Sequence, residues 1–116
     1  MNFTDKVVLI TGSSQGLGKQ MALGFAKKGA NVIVNYNNSE KDAKDLTNFI
    51  NENYNQSICI KSDVGNIDEV KSMFSTIIDK FGKIDVLVNA AAIYEDGTIW
   101  NMKPETWDKV IKTDLT

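Results

Sequence analysis

The chain has 116 residues, of which 42% are hydrophobic and 24% are charged, and its formal net charge is −2. This length suits one domain with a packed core, and the interspersed acids and bases form no basic stripe for nucleic acid. The sequence contains no histidine and a single cysteine, which argues against a zinc site and excludes a disulfide within one chain. That residue, Cys59, lies in an apolar segment, so we expect a buried small side chain and a reducing, cytoplasmic location.

No segment of the sequence is typical of a membrane protein. The longest apolar runs are far too short to span a bilayer. The first six residues are mostly polar and lead directly into a strand-like run, unlike a signal peptide. We therefore expect no membrane partner.

Short apolar runs alternate with helical patterns along the chain. The sequence predicts strands at residues 7–11, 31–36, 57–61 and 84–89, and helices at residues 16–28, 40–53 and 67–80. Ser39 is the predicted cap of the second helix. The predicted inward faces of the second and third helices are Ala43, Leu46, Phe49 and Ile50, and Val70, Met73, Phe74, Ile77 and Ile78. A loop through residues 95–97 and a last helix that begins near Pro104 complete the prediction.

Near-continuous apolar strands that alternate with helices are typical of a parallel sheet covered on both faces. The pattern predicts a doubly wound, Rossmann-type α/β domain over residues 1–116, truncated after about four strands. The last helical pattern reaches residue 116 without a glycine stop, so we expect the N-terminal portion of a longer catalytic domain. The alternative, a short form that is stable by itself, would leave the fourth strand as a sheet edge.

A glycine-rich turn, TGSSQGLGK at residues 11–19, joins the first strand to the first helix. The start of a helix offers free N–H groups and a positive dipole end, and glycines let an anion approach the backbone. The turn is not a P-loop, because five residues separate Gly12 from Gly18 and Gln20 replaces the magnesium-binding hydroxyl. It also differs from G-x-G-x-x-G. The spacing favours a phosphate site, and the alternative is a turn that binds nothing.

The form Thr-Gly-x-x-x-Gly-x-Gly resembles the cofactor turn of the short-chain dehydrogenase/reductase family. The whole chain is similar to the N-terminal half of a classical member, through residues 11–18, 63–64, 84–91 and 107–111. Within that family the likeness is to bacterial glucose 1-dehydrogenases and 3-oxoacyl-(acyl-carrier-protein) reductases. The resemblance implies an oxidoreductase that transfers hydride between NADP(H) and an alcohol/carbonyl substrate, such as a 3-oxoacyl thioester or a sugar.

The resemblance also implies roles for individual residues. The glycines would admit the pyrophosphate with Leu17 beside it, Asp63 and Val64 would border the adenine, and Asn89 and its neighbours would line the nicotinamide-side ribose. The implied cofactor-binding residues are Gly12, Ser14, Gln15, Gly16, Leu17, Gly18, Asn37, Asp63, Val64, Asn89, Ala90 and Ala91. Asp63 has the alternative of a helix cap or turn former, and Asn89 that of a strand-end hydrogen bond.

The end of the second strand bears on the choice between NAD and NADP. An NAD site places Asp or Glu there to accept from the ribose 2′-OH, whereas this chain has Asn35, Tyr36 or Asn37 at that point. Candidate donors to a 2′-phosphate are Asn37, Asn38 and Ser39, with help from Lys41 or Lys44 if the helix start lies close. Gln15 stands where relatives that prefer NADP often carry Arg. The lack of a carboxylate at the end of the second strand favours NADP, whereas Gln15 in place of Arg leaves NAD open.

Catalysis depends, by the resemblance, on residues beyond position 116. The family uses a Tyr general acid, a Lys that lowers its pKa and a Ser that orients the carbonyl. Asp114 occupies the position of a family Asn that anchors a relay water, and Ala92 replaces a family Gly. We therefore expect this chain alone to be inactive. The resemblance also implies that the full-length protein is a tetramer that acts on a small molecule.

Two alternative functions stay open. One is a nucleotide-binding fragment without turnover. The other is a flavodoxin-like or receiver-like signalling domain. A receiver domain needs an acidic cluster at the strand ends, and it is disfavoured here because the first strand ends at Thr11 and Gly12.

Overall fold

Four parallel strands form the central sheet of the protein. The structure is a computed structural model that describes residues 2–13 and 15–90, and the backbone of residues 93–95 and 98–100. The sheet has the order β3-β2-β1-β4, from the strands β1 (Val7–Thr11), β2 (Asn31–Tyr36), β3 (Ser57–Lys61) and β4 (Val86–Asn89). The connecting helices are α1 (Gly16–Lys27), α2 (Glu40–Asn53) and α3 (Ile67–Phe81). The doubly wound α/β fold predicted from the sequence is confirmed.

The core lies on both faces of β1 because successive side chains of a strand point to opposite faces. On one face Val8 and Ile10 pack with Ala22 and Ala26 of α1 and with residues of α2. On the other face Val7 and Leu9 pack against α3, through Val70, Met73, Phe74 and Ile77. The registers Val8↔Val32 and Val8↔Val86 place β1 between β2 and β4. The strands β2 and β3 thus lie on one side of β1, and β4 lies on the other side. The point between β1 and β4 where the strand order changes is the switch point at which α/β folds bind ligands.

The ends of the three helices have different chemistry. Asn66 caps α3, because its Oδ1 accepts from the N–H groups of Asp68 at 3.0 Å and Glu69 at 3.3 Å. The same helix ends at Gly82 in a left-handed conformation. Ser39 stands at the N-cap position of α2, but its side chain makes no capping hydrogen bond, so that prediction is wrong. Acidic side chains in the first turn of α2 compensate the helix dipole instead.

Several predicted details differ from the structure. Phe49 is 47% exposed rather than inward-facing, and Thr47 is buried on α2 in its place. Cys59 is half-buried rather than fully buried. The fourth strand begins at Val86 and not at residue 84, because Asp85 pairs with β1 through its side chain as well as its backbone.

The predicted loop near residue 95 is wrong in part. β5 (Ile93–Glu95) and β6 (Thr98–Trp100) pair as antiparallel strands, with Glu95 opposite Thr98. In the sequence an Asp-Gly pair, a strong hairpin signal, separates these two β-forming runs. The predicted helix from Pro104 lies outside the described residues.

Candidate functional site

A cleft of about 460 Å³ opens at the carboxyl ends of all four parallel strands. Its walls come from the turn after β1 and from the residues that follow β2, β3 and β4. The lining residues are Gly12, Gln15, Gly16, Asn35, Asn37, Asn38, Ser62, Asp63, Val64 and Ala90. The cleft thus lies where a doubly wound sheet is expected to bind a nucleotide.

The structure brings most of the predicted cofactor residues together in this cleft. Those that line it are Gly12, Gln15, Gly16, Asn37, Asp63, Val64 and Ala90. Leu17, Gly18 and Asn89 lie beside the lining residues in the chain and are not part of the wall. Ser14, Ala91 and Asp114 lie outside the described residues, as does Ala92.

The three glycines of the turn serve different purposes. Gly12 and Gly16 have φ values of 65° and 58°, a left-handed conformation that most side chains resist. Gly18 is needed for space, because a Cβ atom there would lie 2.4 Å from the carbonyl oxygen of Gly12. The absence of a side chain at Gly18 therefore lets the start of α1 pack closely against its own turn.

The start of α1 has the features of an anion-binding helix N-terminus. Gln15 is the N-cap residue and makes no capping hydrogen bond with its side chain, and the first turn has no acidic residue. This is the opposite of α3, where Asn66 caps the helix and Asp68 and Glu69 follow. The first turn of α1 therefore keeps the positive electrostatic character that a phosphate would compensate. Leu17 in this turn is 74% exposed.

Asn35 fixes the shape of the cleft. Its Oδ1 accepts from the N–H of Gly12 at 3.1 Å, and its Nδ2 donates to the carbonyl of Ser62 at 3.1 Å. Ser13 completes the link: its Oγ donates to the carbonyl of Ile10 and accepts from the N–H of Asn35. The buried Asn35 side chain therefore ties the glycine turn to the end of β3. Among the three candidates at the end of β2, Asn37 is the exposed one.

The wall after β3 contains a residue that sequence reasoning missed. Ser62 is 1% exposed, and among the described residues its Oγ has no hydrogen-bond partner. A buried hydroxyl without a partner costs free energy, which a ligand group can recover. The signal was its place directly after a strand, next to Asp63. Asp63 itself accepts from the N–H of Gly65 at 2.9 Å, so it forms a turn, and the cap of α3 is a different residue.

Side-chain hydrogen bonds join β1 to β4 at both ends of the pair. The hydroxyl of Thr11 donates to Oδ1 of Asn89 at 2.9 Å, beside the cleft. At the opposite end Asp85 accepts from the N–H of Val7 at 2.8 Å, and Lys83 lies 3.2 Å from the same carboxylate oxygen. The Val7 hydrogen bond is the main reason that the pKa of Asp85 is lowered. Asn89 thus makes the strand-end bond that the sequence left as an alternative.

Four charged side chains in the first two turns of α2 form two ion pairs. Lys41 lies 2.8 Å from Asp45 and Lys44 lies 2.9 Å from Glu40, each pair one helical turn apart. The Lys44 hydrogen bond lowers the pKa of Glu40. Both predicted helpers for a 2′-phosphate are therefore engaged with carboxylates of their own helix, and neither lines the cleft.

Other features of the described residues are less informative. A second cleft, of about 320 Å³, lies between α1 and α2 and is lined by Lys19, Leu23, Asp45, Leu46 and Phe49. In the described part of the chain no group of three or more His, Cys, Asp or Glu side chains is placed to hold a metal ion. No helix within those same residues is long and apolar enough to cross a membrane.

The family follows from comparison with known proteins. The family model for short chain dehydrogenases matches residues 6–116. The chain belongs to the short-chain dehydrogenase family. It is 41% identical over 110 residues to a 3-oxoacyl-(acyl-carrier-protein) reductase of Staphylococcus aureus, covering 95% of this chain and 45% of that protein. It is 42% identical over 113 residues to the Synechocystis reductase of the same name, covering 97% and 46%.

Solved structures of this family share the fold. A short chain dehydrogenase from Burkholderia cenocepacia in complex with NADP superposes with a TM-score of 0.78 at 27% identity, over 96% of this chain and 45% of that one. A hydroxysteroid dehydrogenase from Escherichia coli gives a TM-score of 0.71 at 32% identity, over 76% and 36%. The chain thus spans about half the length of the curated relatives that it matches.

Proposed function

We propose that the complete protein is an NADP(H)-dependent oxidoreductase that transfers hydride between a nicotinamide and an alcohol/carbonyl substrate, and that this chain holds the nucleotide. The observation that carries the proposal is the start of α1, without a side-chain cap from Gln15 and without an acid in its first turn, at the cleft where four strands end. Helix starts of this kind bind phosphate groups. The family membership supports the same function.

The residues of the cleft fit a dinucleotide. The left-handed glycines shape the turn around the start of α1, and Asp63 and Val64 form the wall after β3. The Ser62 hydroxyl has no hydrogen-bond partner within the part of the chain that the structure describes. A nicotinamide cofactor would supply the hydride. The chain would contribute by binding: the N–H groups of α1 toward the pyrophosphate, and the wall after β3 toward the adenine. Asn89 and Thr11 would brace the strands beneath the nicotinamide-side ribose.

NADP is proposed over NAD because amide donors and no carboxylate stand at the end of β2. Asn37 and Asn38 are exposed and line the cleft together with Gln15. Amide N–H groups donate to phosphate oxygens, whereas an NAD site uses a carboxylate that accepts from the ribose hydroxyl. NAD stays an alternative, because the one charged side chain among the lining residues is Asp63 and no lysine is among them.

The substrate and the catalytic step rest on the relatives alone. A 3-oxoacyl thioester is the first candidate because this chain is 41–42% identical to two 3-oxoacyl-(acyl-carrier-protein) reductases over the aligned residues, and a sugar is the alternative. The general acid, its lysine and the serine are expected outside these residues, with Asp114 as a contributor to proton relay. A tetramer and a reducing compartment stay predictions for the full-length protein.

The test of nucleotide binding uses a change at Leu17. Leu17→Glu places a carboxylate in the first turn of α1, where it interacts favourably with the helix dipole but repels a bound phosphate. We expect Leu17→Glu to weaken NADPH binding by about tenfold or more, the effect of opposing charges at close range. The neutral, similarly sized Leu17→Gln is the matched control and should change binding much less. Neither variant should lower the urea midpoint, since Leu17 is exposed.

The assay is titration of the purified chain with NADPH and then NADH, followed by nicotinamide fluorescence. Equal effects of the two Leu17 variants on binding would contradict a phosphate at the start of α1. If the wild-type chain has the circular dichroism of a folded α/β protein and binds neither nucleotide, the proposed function is wrong for this chain. Carbonyl reduction assayed with the full-length protein separates an enzyme from a nucleotide-binding protein without turnover, because the 116-residue chain alone is expected to be inactive.

A further inference from the structure

One contact links the glycine turn to α2 across the rim of the cleft. Nε2 of Gln15 donates to Oδ2 of Asp42 at 2.7 Å. Gln15 lines the cleft, and Asp42 lies in the first turn of α2, with Ser39, Glu40 and Lys41 between it and Asn38 in the chain. The contact joins two elements that are 27 residues apart in the sequence. It therefore places a carboxylate at the side of the cleft that Asn37 and Asn38 also form.

The charge of Asp42 is not balanced within its own helix. Glu40 and Asp45 are each paired with a lysine on α2, at 2.9 and 2.8 Å. The hydrogen-bond partner of Asp42 is the neutral amide of Gln15. The first two turns of α2 thus carry one surplus negative charge, on the residue nearest to the turn of α1. The carboxylate of Asp42 repels an anion that binds near Gln15. One N–H of the Gln15 amide is also unavailable to that anion, because it already donates to Asp42.

We propose that Asp42 is a specificity-determining residue that opposes a phosphate on the ribose 2′-position and limits the preference of this chain for NADPH over NADH. The inference rests on the proposed function, which places the 2′-position at the end of β2. A 2′-hydroxyl is neutral, so Asp42 discriminates between the two nucleotides by charge. Asn37 and Asn38 favour the phosphate, Asp42 disfavours it, and their balance sets the ratio of the two affinities.

The test compares Asp42→Asn with Asp45→Asn. Both variants remove one negative charge from an exposed position of α2, but Asp45 lies one turn further from the cleft and is paired with Lys41. We expect Asp42→Asn to raise the affinity for NADPH about fivefold at low salt and to change NADH binding less than about twofold. Asp45→Asn should change either affinity less than about twofold. Calorimetric titration of the 116-residue chain gives both dissociation constants.

A second pair of ligands isolates the adenosine end. Adenosine 2′,5′-bisphosphate should gain affinity for Asp42→Asn as NADPH does, whereas AMP should not. At about 1 M salt the gain should shrink, because a repulsion between exposed charges is screened over a few ångströms. If Asp42 instead had the structural role of holding α2 against the turn of α1, Asp42→Asn would change the affinities for both ligands of each pair equally, and the change would not depend on salt.

The outcomes separate the inference from the function on which it rests. If both nucleotides bind to the wild-type chain and the affinity ratio is unchanged in Asp42→Asn, the role of Asp42 is refuted and the proposed function stands. If neither nucleotide nor bisphosphate binds to any folded variant, both proposals are refuted.

Discussion

The replacement of Asn35 by alanine tests whether this buried amide fixes the shape of the cleft. The side chain is 2% exposed and accepts from the N–H of Gly12 at 3.1 Å while it donates to the buried carbonyl of Ser62 at 3.1 Å. Asn35→Ala leaves both backbone groups without this partner. Each buried polar group left unpaired costs about 1–2 kcal/mol, so we expect a total loss of about 2–4 kcal/mol in the free energy of unfolding.

Urea denaturation followed by circular dichroism measures this loss. With a denaturant dependence of about 1–2 kcal/mol per molar for a small domain, the midpoint should fall by about 2 M. NADPH binding should weaken as well, because the turn after β1 loses its tie to β3. Asn37→Ala is the matched control: Asn37 is exposed, so its loss should leave the midpoint unchanged while it lowers NADPH affinity. A midpoint for Asn35→Ala within 0.5 M of the wild type, a margin of about 1 kcal/mol, would refute the assignment of Asn35 as a buried tie.

Three further changes test the packing and charge of the strand ends. Gly18→Ala should destabilise the chain by about 1–3 kcal/mol and weaken NADPH binding, because its Cβ would meet the carbonyl of Gly12; unchanged stability in urea would contradict that contact. Ser62→Ala should raise the free energy of unfolding by about 1 kcal/mol and lower NADPH affinity, and a loss of stability would show that its hydroxyl has a partner in the free protein. The folded-state pKa of Asp85 is below its ordinary value of 3.8, so its carboxylate stabilises the fold above that pH and this contribution is lost as the pH falls through the lowered pKa. Asp85→Asn should therefore lower stability at pH 7 by about 1 kcal/mol and flatten the acid limb of the stability profile, measured by urea midpoints from pH 7 down to about 2.

The sequence by itself determined the type of each helix and strand and their order along the chain. Apolar runs gave the first three strands with their bounds, because a strand buried on both faces is apolar at nearly every position. The turn from Gly12 to Gly18 also identified the family, since left-handed φ values and a close approach can be met only by glycine at fixed spacings. The hairpin after β4 has a signal in the sequence too, the Asp-Gly pair between two β-forming runs.

The tertiary structure alone decided which polar side chains are available to a ligand. Asn35 and Asn37 are the same residue type two positions apart. The side chain of Asn35 is hydrogen-bonded to the backbone of Gly12 and Ser62, whereas that of Asn37 is exposed. Likewise Lys44 is drawn to Glu40, and Gln15 meets Asp42 across the rim of the cleft. Local periodicity tells which way a side chain points, but most of these contacts join residues 23 to 27 positions apart. They exist only because the crossover helices bring the ends of β1, β2 and β3 to one edge of the sheet, and hydrogen bonds at about 3 Å depend on that placement.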